Sequence, residues 1–316
     1  MKRNSSAARP EEIAAAAQCI RAGLLVAFPT ETVYGLGANA LDPDAVARIY
    51  EAKKRPAASP LIVHVASIEQ AKGLVSSWPE AAERLAQDFW PGPLTLVLPK
   101  TSAIPDIVTA GLPTVGVRMP DHPVAQALIR EAGVPIAAPS ANPFTRLSPT
   151  RPDHLDPELR EAVAMVLEGG RARVGIESTV LSLTGARPVL LRPGAISQAD
   201  LEARIGPVEE AGRPAGAHPA PGMHPRHYAP RTRLLVVRGG ELPKAGRGAY
   251  LWRAQPGEAA RTVRMPEGPG AYAATLYDIL HRLDREGFDW IAVEEPPRGP
   301  EWSGVRDRLR RAAGGG

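Results

Sequence analysis

FPTETVYGLGAN, residues 28–39, closes an apolar run from Leu24 to Phe28 that reads as a buried strand. Pro29 ends it. Thr30, Glu31, Thr32 and Tyr34 follow, all polar-tipped, with two glycines, Gly35 and Gly37. KKRPAASPLIVH, residues 53–64, then sets Lys53, Lys54 and Arg55 ahead of a second apolar strand, Leu61 to Val65. Polar side chains at a strand's end, with cations nearby, suit an anionic substrate.

Around this stretch, residues 1–205 alternate helices and strands. A helix over 10–22 places Ile13, Ala17 and Ile20 on one face and stops at Gly23. Asp42-Pro43 opens the next helix as N-cap and first-turn proline. Ser67 with Gln70 makes a capping box for a third. Strands are expected over 24–28, 61–65, 94–98, 115–118, 134–138, 163–167, 178–183 and 188–191. Several neighbours lack an intervening helix, so the sheet is expected to be twisted and mixed. Residues 206–231 are rich in Pro, Gly, Ala and His without apolar period, and mark a linker between domains. Residues 232–316 read as a smaller α/β unit, with strands over 233–237, 249–252 and 290–293 and helices over 272–285 and 305–312. The closing Ala-Ala-Gly-Gly-Gly is expected to fray.

The chain's 316 residues suit two domains, and 44% hydrophobic with 23% charged residues is the balance of a soluble globular protein. No apolar run approaches the roughly 20 residues that span a bilayer. MKRNSSAARPEE has no apolar core behind its charges, unlike a secretory signal. The single cysteine, Cys19, excludes an intrachain disulfide and a Cys-based zinc site, and makes the cytoplasm the default location. It falls on an apolar helix face and reads as core. A net charge of +4 is a weak footprint for nucleic acid.

Each candidate also has a plain structural reading. Lys53, Lys54 and Arg55 could cap the C-terminus of a helix over 42–52, with Pro56 ending it. His64 in LIVHV could be a satisfied core residue. Arg118, at the end of VGVR, could grip a carboxylate or form a surface ion pair. Ser140 in AAPSAN follows a strand, where a turn can present N–H groups and a hydroxyl to phosphate, or only bond itself. Ser148, Ser178 and Arg192 repeat the pattern of polar residues at strand ends, and clustered ends would form one polar cleft. There is no G-x-S-x-G, no P-loop and no G-x-G-x-x-G fingerprint. His218, His224 and His227 fit no standard zinc spacing. Arg306, Arg308, Arg310 and Arg311 could touch RNA, but read first as the solvated face of a terminal helix.

Taken together, FPTETVYGLGANA, KKRPAASPLIVHV, FWPGPLTLVL, VGVRMPDHP, PIAAPSANPF, ESTVL and LLRPGAI resemble the YrdC-type threonylcarbamoyl-AMP synthases, in their long two-domain form. PGMHPRHYAP resembles that form's connector; over 232–316 the likeness rests on length and position. The resemblance implies a YrdC-like mixed sheet with a concave cavity and a smaller Rossmann-like C-terminal domain. It implies joining of L-threonine, bicarbonate and ATP, with Mg²⁺ on the triphosphate and release of pyrophosphate, for a tRNA-modification machinery. Thr32, His64, Arg118, Ala138 and Ser178 would hold L-threonine. Arg55, Ser59, Thr114, Ser140, Ser148, Arg192 and Tyr228 would hold ATP. Lys53 and Arg55, the K-x-R pair, would act on the phosphates, and no protein metal site is implied. Ser59 stands where asparagine is common. The linker would lie over the site with Tyr228 as latch. A non-catalytic double-stranded RNA-binding module is the main alternative, resting on the basic pI. A carbamoyl transferase for metallocentre assembly would bring Cys-rich zinc segments that this chain lacks.

Overall fold

The structure, a computed structural model, describes residues 8–211, 227–238 and 240–314. His218, His224, most of the connector and the last two glycines lie outside them.

The larger sheet holds β1 Val26–Phe28, β2 Gly35–Asn39, β3 Ile62–His64, β4 Leu94–Pro99, β5 Thr114–Arg118, β6 Ile136–Ala137, β7 Met165–Val166, β8 Thr179–Ser182, β9 Val189–Arg192 and β10 Glu209–Glu210. Their order is β10-β9-β8-β4-β5-β3-β6-β2-β1-β7. β3 runs parallel to β5 but antiparallel to β6, and β4 parallel to β8 but antiparallel to β5, so the sheet is mixed. Around it lie α1 Pro10–Arg21, α2 Pro43–Lys53, α3 Ile68–Lys72, α4 Glu80–Phe89, α5 Asp106–Thr109, α6 Pro123–Ala132, α7 Pro157–Ala162 and α8 Gln198–Ile205. β10 lies within the segment read as linker and pairs with β9.

Local chemistry accounts for the helix ends. Asp42 accepts from the amides of Asp44 at 2.9 Å and Ala45 at 3.2 Å, capping α2. Lys54 ends that helix in the left-handed region, at φ 51°. Ser67 caps α3 through the Gln70 amide, but the Gln70 side chain returns to Ala66 N, one residue before the expected box partner. Cys19 is half-buried at the margin of the packing between α1 and α6.

β2 was not expected as a strand, because GLGAN has little β-propensity. Packing decides it. A Cβ on Gly37 would fall 2.8 Å from the Phe28 ring and 2.9 Å from Ile136 Cγ2, so glycine lets β2 slot between β1 and β6. Neither Gly35 nor Gly37 turns the chain with positive φ. They are strand residues.

The two faces are covered unequally. One is packed by the apolar sides of α2 and α4, through Ile49, Leu85 and Ala86 on Leu36, Val63 and Leu96. On the other, α1 and α6 pack on Val26, Phe28 and Ile136 at the β1–β2–β6 end.

The second sheet holds β11 Arg233–Val237, β12 Gly248–Trp252, β13 Arg261–Arg264 and β14 Trp290–Glu294 in the order β11-β14-β12-β13, all parallel. α9 Pro269–Asp284 and α10 Ser303–Ala312 pack against Ile291, Val293 and Leu251 on one face. Val33, Leu147 and Ile176, from loops of the larger sheet, belong to this same apolar cluster. The two units therefore share a core. α10 overturns one expectation: Arg308, assigned to a solvated face, is wholly buried, while Arg310 keeps 65% of its side chain exposed.

Candidate functional site

Strand periodicity builds the site. Residues two apart on a strand share a face. Ile62 and His64 on β3 therefore share one face, beside Gly116 and Arg118 on β5 in register. Ala138 follows β6, with its amide bonded to Ile62 O at 2.9 Å. Together with the loop after β1, the two residues before β8 and the last residue of β9 they line a cavity open to solvent. Thr32, His64, Arg118, Ala138 and Ser178 all line it, and so do Arg55, Ser140, Arg192 and Tyr228. The polar cleft thus lies on the face of the sheet and not only at its strand ends.

Four predicted residues stand off the lining. Lys53 is buried behind it, where Nζ donates to Ser140 O at 2.5 Å and also to Asn142 O, pinning the PSAN turn. Ser59 is buried beside Arg55, whose Nε donates to its carbonyl at 3.3 Å. Ser148 donates to the Glu177 carboxylate, one bond from the cavity. Thr114 shares the Arg118 side of β5 from four residues back, about 13 Å along the strand.

The Thr32 and Arg118 end is short of partners. Thr30 Oγ1 donates its only proton to Val33 O at 2.7 Å, so in its 2.8 Å contact with Thr32 Oγ1 it must be the acceptor. Thr32 is left with lone pairs for a ligand hydroxyl or amine. Arg118 Nη2 lies 2.7 Å from Glu31 Oε1, both groups buried, yet the angles satisfy no hydrogen bond and Nη2 has none elsewhere. His64 Nδ1 is likewise buried without a partner. Burial, helped by the Arg118 charge, pushes the His64 pKa down to about 3, so the ring is neutral at pH 7. Buried polar atoms left unsatisfied are costly. Both Glu31 oxygens are unbonded too, so this end presents acceptors as well as the Arg118 donor to a ligand.

The other end is cationic. Arg55 Nε and Nη2 are held by the carbonyls of Ser59 and Pro60, which leaves Nη1 for a ligand. Burial draws its pKa down to about 10, still charged at pH 7. Its guanidinium stands 5.7 Å from the Phe144 ring. Arg192 donates to both the carbonyl and the hydroxyl of Ser178 at 3.1 Å, and Ser178 Oγ lies 2.8 Å from Thr95 Oγ1. Burial also lowers the Lys53 pKa well below the usual lysine range, Arg55 adding to the effect and Glu177 opposing it. Among the described residues no group of three or more His, Cys, Asp or Glu could hold a metal ion.

Three residues carried no expected role. Glu177, within the quoted ESTVL, lines the cavity; Glu31 partners Arg118; and His227 lines it beside Tyr228, their rings 4.1 Å apart. Tyr34, polar-tipped in sequence, braces Gly169 and Gly170 instead.

Residues 18–194 match the family described as Telomere recombination, the Sua5/YciO/YrdC family, and residues 196–314 match the C-terminal domain of threonylcarbamoyl-AMP synthase. The chain belongs to the Sua5/YciO/YrdC family. A threonylcarbamoyl-AMP synthase of Pyrococcus abyssi is 44% identical over 322 residues, covering 96% of this chain and 94% of its own. One from Bacillus subtilis is 44% identical over 325 residues, covering 96% and 93%. The crystal structure of P. abyssi Sua5 complexed with L-threonine superposes with a TM-score of 0.89 at 41% identity, over 97% of this chain and 95% of that one. Family membership extends to the long form's second domain. No helix among the described residues is long and apolar enough to cross a membrane.

Proposed function

We propose that this protein is a threonylcarbamoyl-AMP synthase, a nucleotidyltransferase that makes L-threonylcarbamoyladenylate and pyrophosphate from L-threonine, bicarbonate and ATP. The carrying observation is that one cavity holds two unlike ends. One has Arg118 beside Glu31, a neutral His64 and a Thr32 acceptor. The other has Arg55 and Arg192, with Lys53 behind.

The chemistry asks for positioning more than for a protein nucleophile. Bicarbonate takes up a proton and loses water to give carbon dioxide, the threonine amine adds to it, and a proton leaves the nitrogen. A carbamate oxygen then bonds the α-phosphorus of ATP as the bond to the pyrophosphate oxygen breaks. Arg118 binds the threonine carboxylate, leaving the amine free to react. Thr32 accepts from the threonine hydroxyl, the group that separates threonine from valine. Arg55 and Arg192 stabilise charge on the phosphates, and Lys53 holds the Ser140 turn that faces them. A Mg²⁺ ion bound to the triphosphate would neutralise part of its charge, beside Arg55 and Arg192. The adenylate passes to a tRNA-modification machinery in the cytoplasm. Double-stranded RNA binding is the weaker reading, since the basic run of α10 has Arg308 buried.

The test is pyrophosphate release with each substrate withheld in turn. Release should require threonine, bicarbonate and ATP together; release that ignored threonine or bicarbonate would refute the proposal.

A further inference from the structure

Arg308 of α10 reaches out of the second unit and into the wall of the cavity. Its Nε donates to Glu177 Oε2 at 2.7 Å, Nη2 to Glu177 O at 3.0 Å and Nη1 to Pro193 O at 3.0 Å. Nη1 also meets Asp307 Oδ2 at 2.8 Å. The guanidinium stands 5.1 Å from the ring of Tyr228, which lines the cavity and carries a positive φ of 60°. The helix backbone comes close too: a Cβ on Gly304 would lie 2.7 Å from Gly194 O. Glu177 and Pro193 immediately precede Ser178 and follow Arg192, two cavity residues that bond each other. Tyr277 of α9 adds a 3.2 Å bond to Glu177.

A wholly buried arginine is tolerated only where its partners are fixed. Here the main partner is a carboxylate in the wall of a cavity whose other charged lining groups are Arg55, Arg118 and Arg192. Uncompensated, Glu177 would repel a polyphosphate; paired with Arg308, it does not.

We infer that Arg308 is a positioning residue for the adenylate-forming site: from the last helix it cancels the Glu177 charge and clamps the wall segments that carry Ser178 and Arg192. The inference rests on the proposed reaction, and it makes the second unit part of the nucleotide site.

Steady-state pyrophosphate release by the full chain, varying ATP and threonine separately, tests it. Arg308→Met should raise KM for ATP on the order of tenfold, by leaving one uncompensated charge near the phosphates, and raise KM for threonine much less. Arg308→Met combined with Glu177→Gln should bring KM for ATP back toward the wild-type value. Arg308→Lys, which keeps the charge, should stay within about threefold of wild type and carries the test where the methionine variant does not fold. A wild-type KM for ATP in Arg308→Met, a double variant no better than the single, or an Arg308→Lys as impaired as a charge loss would each overturn the inference. A wild-type chain that released no pyrophosphate would instead remove the reaction itself.

Discussion

Arg55 and Thr32 mark the two ends of the cavity, and each can be tested alone. Arg55→Ala removes one charge-assisted bond to the phosphates and should cost about 1.5–3 kcal/mol, roughly 10- to 200-fold in kcat/KM. Unchanged turnover would take Arg55 out of the site. Thr32→Val is isosteric and deletes the acceptor derived from the Thr30 bond. It should lower kcat/KM for threonine by about 1–2 kcal/mol while KM for ATP holds, and an unaltered preference for threonine over valine would assign that discrimination elsewhere. Residues such as His64, Arg118 and Ser178 were legible because polar groups interrupt apolar strands there. Glu31 and Glu177 were not, because an acid beside a would-be anion site makes sense only once its buried arginine partner is known.

At the scale of elements, β2 is the instructive case. Nothing in GLGAN itself argues for a strand, yet a five-residue strand forms between β1 and β6. Gly37→Ala should therefore destabilise the fold by about 1–3 kcal/mol through overpacking against Phe28 and Ile136, read as a fall in Tm. An unchanged Tm would mean those side chains yield freely. The other strands of the larger sheet announced themselves as apolar runs, because β-branched and aliphatic residues there are buried on both sides. The two-residue edge strand β10 and, in the second sheet, the strand β13, whose RTVR is mostly exposed, carried no such signal. Arg308 was misread for a related reason: a basic run normally faces water, and only tertiary structure supplies the acids that let one member turn inward.

Across the whole molecule, the joint between the units is acid-sensitive. His154 and His281 stack across it with ring centroids 4.1 Å apart. Burial lowers both pKa values, that of His154 to about 4 with the His281 charge adding to the effect. Both rings are neutral in the folded protein near pH 7, as is His64, whereas the unfolded chain takes up their protons near pH 6.5. Stability is then full above that pH and falls as pH drops toward 4, by up to about 1.4 kcal/mol per unit for each histidine. Tm should decline between pH 7 and pH 5, and His154→Gln should flatten the decline. A Tm independent of pH over that range would contradict this account. The burial of Arg308 has one more consequence, in time. Chains fold from the N-terminus as they are made, so the larger sheet and nearly all its cavity residues emerge early. The guanidinium that completes the cavity wall stands more than a hundred residues after Arg192, so a nascent chain finishes the pocket only once the second unit has been made.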